Sequence, residues 1–295
     1  MHVSFRVIVG AGVGGLLACV SCLGPGKPIV AAEKAGTAYA ATALPTTNGL
    51  LTYEIVCAYQ ETPCRIEVLL PDTFDRARKY KVLYVLPVDK IRPNQREGGM
   101  DLAKKMNLAN RHHVICAAPL FSGMPWIADN PTNTGVWNET YMTDVIVPFM
   151  DRTFPTMTGP EGRILVGYSK GGVASVSLLL RHPNLFGRAG AWDAPLCGCD
   201  TRAEYYGPQE YFMRNYYLPT MFTNSASLLQ GQPARLAIAG YGWGSIPAAH
   251  KILSAQRIPH YCNDALRLPH EWNARWLGPL VEVLLAEDMA AKQAP

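Results

Sequence analysis

Gly167-Tyr168-Ser169-Lys170-Gly171 spells Gly-x-Ser-x-Gly between an apolar run, RILVG, and a stretch with helical spacing, KGGVASVSLLLR. A serine on so sharp a strand-to-helix turn projects its hydroxyl from the C-terminal edge of a sheet, above a helix N-terminus that favours negative charge. The chemistry this setting suits is nucleophilic attack on a carbonyl. The N–H of Lys170 would be one donor to the oxyanion that forms. The second is expected from the loop after the apolar run KVLYVL, where Val88 and Asp89 are the candidates because Pro87 has no N–H.

A serine hydroxyl is a weak nucleophile near neutral pH and needs an imidazole within hydrogen-bond reach. His270, in Leu-Pro-His-Glu-Trp, stands between the last short strand-like run and the final helical stretch, where a Ser-acid-His chain order keeps its base. His112 and His113 precede the serine, His182 reads as a solvated helix end, and His250 and His260 belong to the elements before the last loop. The acid usual after the run Arg235–Gly240 is missing, since residues 234–263 contain no Asp or Glu and Gly240-Tyr241-Gly242-Trp243-Gly244 stands in its place. Asp193, in Ala-Trp-Asp-Ala-Pro directly after the run ending at Trp192, would emerge at the same sheet edge as Ser169 and is the preferred acid. Asp264 is the alternative. Trp126, in a loop Phe121–Trp126 over that edge, would line a pocket together with Trp192, Tyr241 and Trp243.

The elements that must position these residues alternate. Short apolar runs at Lys81–Leu86, His113–Ala118, Arg163–Gly167, Gly187–Trp192, Arg235–Gly240 and Ile258–Cys262 read as buried parallel strands. Helical spacing appears over Gly99–Leu108, Thr140–Phe154, Lys170–Arg181, Ile246–Gln256 and Trp272–Leu285, and Arg202–Leu229 reads as a helical excursion above the sheet. The expected fold class is α/β, a mostly parallel sheet with helices on both faces and an N-terminal antiparallel hairpin from Thr52–Tyr59 and Arg65–Leu70. Cys57 and Cys64 flank a turn centred at Gln60-Glu61 and are expected to form a cross-strand disulfide. Cys197-Gly-Cys199 lacks the spacing of a zinc site, so no metal is expected.

Residues 1–32 have a short cationic start, an apolar centre and a small-residue exit, the order of a secretory signal ending near Ala32. Cys19 and Cys22 are weaker candidates for a lipid-accepting cysteine. Gly10, Gly12 and Gly15 with Glu33 also spell a dinucleotide fingerprint, but residues 33–46 are small and polar and read as a linker rather than a further βα unit, so no cofactor is expected. The expected organisation is a signal over 1–32, a linker over 33–46 and one catalytic domain over 47–290. The expected site of action is outside the cytoplasm, secreted or periplasmic. The chain has 295 residues, 48% of them hydrophobic and 17% charged, with a net charge of +4. That composition excludes wholesale disorder, and no run of Lys and Arg interleaved with aromatics suggests nucleic acid as a partner.

Taken together, Val82–Pro87, Gly-Tyr-Ser-Lys-Gly-Gly, the Arg-His-Pro after its helix, Ala-Trp-Asp-Ala-Pro-Leu and Pro-His-Glu-Trp resemble the putative-esterase branch of the α/β-hydrolase superfamily, which includes esterase D-like, feruloyl and acetyl-xylan esterases and mycolyltransferases. The resemblance spans about Thr52 to Leu285. It implies a serine esterase without metal or cofactor that acts on a small-molecule or carbohydrate ester. An acyltransferase with the same triad, or a non-catalytic binding protein on the same scaffold, are the other readings.

Overall fold

A short apolar run without polar alternation is satisfied only by burial on both faces, and Val82–Leu86 (β5) is buried at every position, as is Ile115–Pro119 (β6). The computed structural model describes residues 28–31, 38–88, 98–123, 128–197 and 208–289. With Arg163–Tyr168 (β7), Arg188–Trp192 (β8), Leu236–Ala239 (β9) and His260–Asn263 (β10), these strands pair in parallel. Pro28–Ala31 (β1), Tyr39–Thr47 (β2), Leu50–Cys57 (β3) and Cys64–Leu69 (β4) extend the sheet antiparallel. The order is β1-β2-β3-β4-β6-β5-β7-β8-β9-β10. β6 lies to one side of β5 and β7 to the other, so the chain direction reverses across the sheet at β5. The reversal of strand order, the point at which open α/β sheets bind ligands, thus lies between the carboxyl ends of β5 and β7.

Alternation along the inner strands sends side chains to two cores. Tyr84, Leu86, Leu165 and Ile238 face a layer that includes Val145, Phe149, Val176, Leu179 and Phe222. These come from a helix over 138–153, π-helical at Tyr141–Ile146 (α3), from Lys170–Arg181 (α4) and from Leu218–Asn224 (α6). Leu83, Val85, Val166 and Trp192 face Met100, Leu102, Trp276 and Leu280 on Gly99–Lys105 (α1) and Ala274–Leu285 (α9). Leu108–His112 (α2), Gln209–Asn215 (α5), Ala226–Leu229 (α7) and Ser245–Ala255 (α8) are further helices among the described residues.

Two expectations change. The stretch read as a linker over 33–46 contains most of β2, which pairs with β3 from Tyr39↔Cys57 to Leu44↔Thr52 and buries Tyr39 and Ala41. Its Ala and Thr side chains are too small to signal a strand, and the partner strand supplies the burial. Cys57 and Cys64 form no disulfide: the register sets Ile55, not Cys57, opposite Cys64, which displaces the two thiols diagonally. Gln60 explains the shift, because its side chain is buried and bonded to Asn138 Oδ1 and to the N–H of Ser122 at 2.8 Å each, drawing the turn toward the loop after β6. β1 falls within the segment read as a signal, and the preceding residues 1–27, with Cys19, Cys22 and the glycine fingerprint, lie outside the described residues, as do Glu33, Asp89, Trp126 and Cys199.

Candidate active site

Ser169 links β7 to α4 at φ 53°, ψ −125°, a conformation L-residues seldom adopt and one that costs about 1–3 kcal/mol. Hydrogen bonds on both sides hold it there. Its N–H donates to Trp192 O at 2.9 Å, and its carbonyl accepts from Gly172 and Val173 at 3.0 and 3.1 Å. Gly171 must be glycine, since a Cβ would lie 2.5 Å from Leu86 O and 2.9 Å from Pro87 O. The chain leaving β5 is thereby packed on the first turn of α4, and Val88 follows two residues after that strand.

The loop between β10 and α9 delivers His270. Its Nε2 lies 3.0 Å from Ser169 Oγ and its Nδ1 lies 2.6 Å from Asp193 Oδ2. Asp193 follows β8 at φ 44°, where its N–H donates to Ala239 O at 2.8 Å. The carboxylate's other oxygen, Oδ1, accepts from the N–H groups of Tyr241 at 2.9 Å and Gly242 at 2.5 Å. Gly240 permits this approach: its φ is +90°, and a Cβ would lie 3.0 Å from Asp193 N. Burial alone would raise the Asp193 carboxyl, but the bonds from His270, Gly242 and Tyr241 hold it below its usual value. The loop after β9, which lacks a carboxylate, therefore serves the acid of the neighbouring strand with backbone donors. Its glycines were the only trace of that role in the sequence.

The imidazole sits among aromatic rings. Tyr168 meets it edge-on at 5.0 Å between centroids, and Trp243 lies tilted against it at 4.7 Å. Tyr168 also packs on Trp272 at 5.3 Å, a buttress for the His270 loop that sequence alone did not suggest. Tyr241 and Trp243 are exposed at the rim. Trp192, expected in the pocket wall, is instead fully buried and stacked on Trp276 at 5.5 Å, because strand alternation turns it toward α9 while Asp193 leaves the sheet edge. Asp264 is not joined to the imidazole, and its carbonyl accepts from Arg267. His182, read as a solvated helix end, is bonded to the buried Glu139 at 2.5 Å, and His250 and His260 bond each other at 2.8 Å. Among the described residues no three His, Cys, Asp or Glu side chains gather as metal ligands would.

No curated protein matches the chain by sequence. A ferulic acid esterase structure superposes with TM-score 0.62 at 17% identity, covering 80% of this chain and 96% of its own. An S-formylglutathione hydrolase from Agrobacterium tumefaciens gives 0.59 at 14% identity, covering 78% and 91%. A CE1 ferulic acid esterase from Anaeromyces mucronatus gives 0.58 at 20%, covering 88% and 94%. At these identities the likeness establishes the α/β-hydrolase fold. The family model described as Putative esterase matches residues 58–208, more than half of the chain and the segment that contains both Ser169 and Asp193. The chain therefore belongs to the putative esterase family of α/β-hydrolases and is a carboxylic ester hydrolase.

Proposed function

We propose that hydrolysis proceeds through an acyl-enzyme on Ser169. His270 Nε2 takes the hydroxyl proton as Oγ attacks the ester carbonyl, and the resulting oxyanion is held by the N–H groups of Lys170 and of Val88 or Asp89. The tetrahedral species collapses as the C–O bond to the alcohol breaks and His270 returns the proton to the departing oxygen. Water, deprotonated by the same imidazole, then attacks the acyl-enzyme, releasing the carboxylic acid and restoring the serine proton. Asp193 acts through the histidine, fixing the proton on Nδ1 and favouring the imidazolium. The observation that carries this reading is the continuous chain of contacts, 3.0 Å from Ser169 Oγ to His270 Nε2 and 2.6 Å from Nδ1 to Asp193.

The substrate class we assign is a small-molecule ester, with carbohydrate-linked esters the first to screen; the exposed aromatic rim at Tyr241 and Trp243 supports it. We also infer export, on the residue order of 1–32. Among the described residues no helix is long and apolar enough to cross a membrane. A fluorophosphonate should label the intact protein and fail to label Ser169→Ala. Equal labelling of folded wild type and variant would place the nucleophile elsewhere.

A further inference from the structure

Trp243 carries features that neither folding nor proton transfer requires. Its side chain is 71% exposed, although exposing an indole to water forfeits burial that the fold would otherwise use. Its backbone is left-handed, φ 55° and ψ 36°, between Gly242 at 53° and Gly244 at 87°. A third glycine would satisfy that path without strain. The loop's service to Asp193 is performed by the N–H groups of Tyr241 and Gly242, not by the indole. What the strain secures is the position of one ring, 4.7 Å from the ring of His270.

That position has a chemical meaning. In ester cleavage the departing alcohol oxygen receives its proton from His270 Nε2, so it must lie about 3 Å from that nitrogen. The oxyanion points instead toward the N–H groups at the start of α4 and the end of β5. Groups beside the imidazole therefore border the alcohol half of the ester. Tyr241, 45% exposed and backed by the Arg267 guanidinium at 4.3 Å, stands two residues before Trp243 in the same loop.

We propose that Trp243 is the platform of an alcohol subsite that takes a flat ring, an aryl group or the apolar face of a sugar, in the alcohol half of the ester. The assignment rests on the acyl-enzyme reading above.

The test holds the acyl group constant and changes the alcohol. Initial rates on ethyl acetate, benzyl acetate and a 6-O-acetyl methyl glucoside give kcat/KM for each with wild type, Trp243→Gly and Trp243→Phe. Glycine suits the left-handed backbone, so the first variant removes the ring without a folding penalty, and phenylalanine keeps a ring. Trp243→Gly should lower the benzyl-to-ethyl or the glucoside-to-ethyl ratio about fivefold to tenfold, and Trp243→Phe should retain most of it. The ratio that falls identifies the ring as aryl or sugar. Equal losses on all three esters would mean the indole only steadies the imidazole, and unchanged ratios would mean it touches no substrate; either overturns the assignment. Fluorophosphonate labelling of Ser169 in the same preparations separates the two levels: with labelling intact, only the subsite falls, and without it the acyl-enzyme reading falls first.

Discussion

Replacing Asp193 by Asn tests the site at its most informative point, because the loop after β9 dictates which way the amide must face. Two N–H groups, from Tyr241 and Gly242, converge on Oδ1 at 2.9 and 2.5 Å, and only an acceptor is tolerated there. The amide oxygen therefore takes the Oδ1 position and its NH2 faces His270 Nδ1, 2.6 Å away in the wild type. Nδ1 must then accept, which puts the ring proton on Nε2, where it points at Ser169 Oγ and blocks proton abstraction. Flipping the amide would restore the tautomer but set NH2 against two donors. Losing those bonds costs about 2–6 kcal/mol, or roughly one and a half to four decades in the population of the active arrangement. Loss of the negative charge that favours the imidazolium adds to this, so kcat/KM on an aryl acetate should fall about three to four orders of magnitude near neutral pH. The assay pairs that rate with thermal denaturation, since Asn is nearly isosteric and the midpoint should shift little. Asp264→Asn, made alongside, should lose severalfold at most. Activity of folded Asp193→Asn within tenfold of wild type, or a larger loss in Asp264→Asn, would refute the reasoning.

Ser169→Ala and His270→Ala should each lower kcat by about a thousandfold or more, and the double variant should lose no more than the single ones; additive losses would show that the two do not act as a unit. Glu139→Gln should destabilise the fold by about 2–4 kcal/mol in thermal or urea denaturation, because the buried carboxylate bonds Arg181 and His182 at 2.6 and 2.5 Å and Tyr216 at 2.6 Å, and its neutral replacement leaves Arg181 without its counter-charge. Burial raises the Glu139 carboxyl but His182, Arg181 and Tyr216 hold it below its ordinary value, as the site hydrogen bonds do for Asp193. Glu139 contributes stability that is fully present above about pH 5 and is lost as pH falls through its depressed value, so wild type should lose more stability on acidification than Glu139→Gln does. Peptide mapping of the oxidised protein should find Cys57 and Cys64 unlinked, and a linked peptide would require the β3–β4 register to slip by two residues.

The site was legible where chemistry and chain geometry coincide in one short segment. Ser169 stands at a change of period, from a buried strand to a helix, that its flanking glycines make sharp, and Asp193 can be singled out because one strand end offers a carboxylate where the next offers none. What escaped depends on the third dimension. The donors to Asp193 are backbone groups, invisible in residue types. The orientation of Trp192 follows from strand parity, which a one-residue difference inverts: Ala191 faces one core and Trp192 the other. β2 escaped because alanine and threonine carry too little apolar surface to announce a strand whose burial depends on its neighbours. The hairpin register escaped because Gln60 is held by Asn138 and Ser122, residues far along the chain.

The proposed placing of the acid at the end of β8 rather than β9 has a physical basis in the sheet itself. Parallel neighbours lie about 4.8 Å apart, so a carboxylate moved by one strand starts only that far from its usual origin, within reach of an Asp side chain and a modest bend of the backbone. The bend is present: Asp193 is left-handed at φ 44° and tied to Ala239 O, the last residue of β9, at 2.8 Å. A carboxylate so placed is close to β9, and the chain leaving β9 must pass it without a side chain in the way, which Gly240 allows at φ +90°. The same passage turns two successive N–H groups toward Oδ1, so the loop after β9, which carries no acid of its own, is what fixes the second oxygen. A side chain at position 242 would meet Ala194 O at 2.6 Å, so the residue that donates its N–H to Oδ1 cannot itself carry the carboxylate.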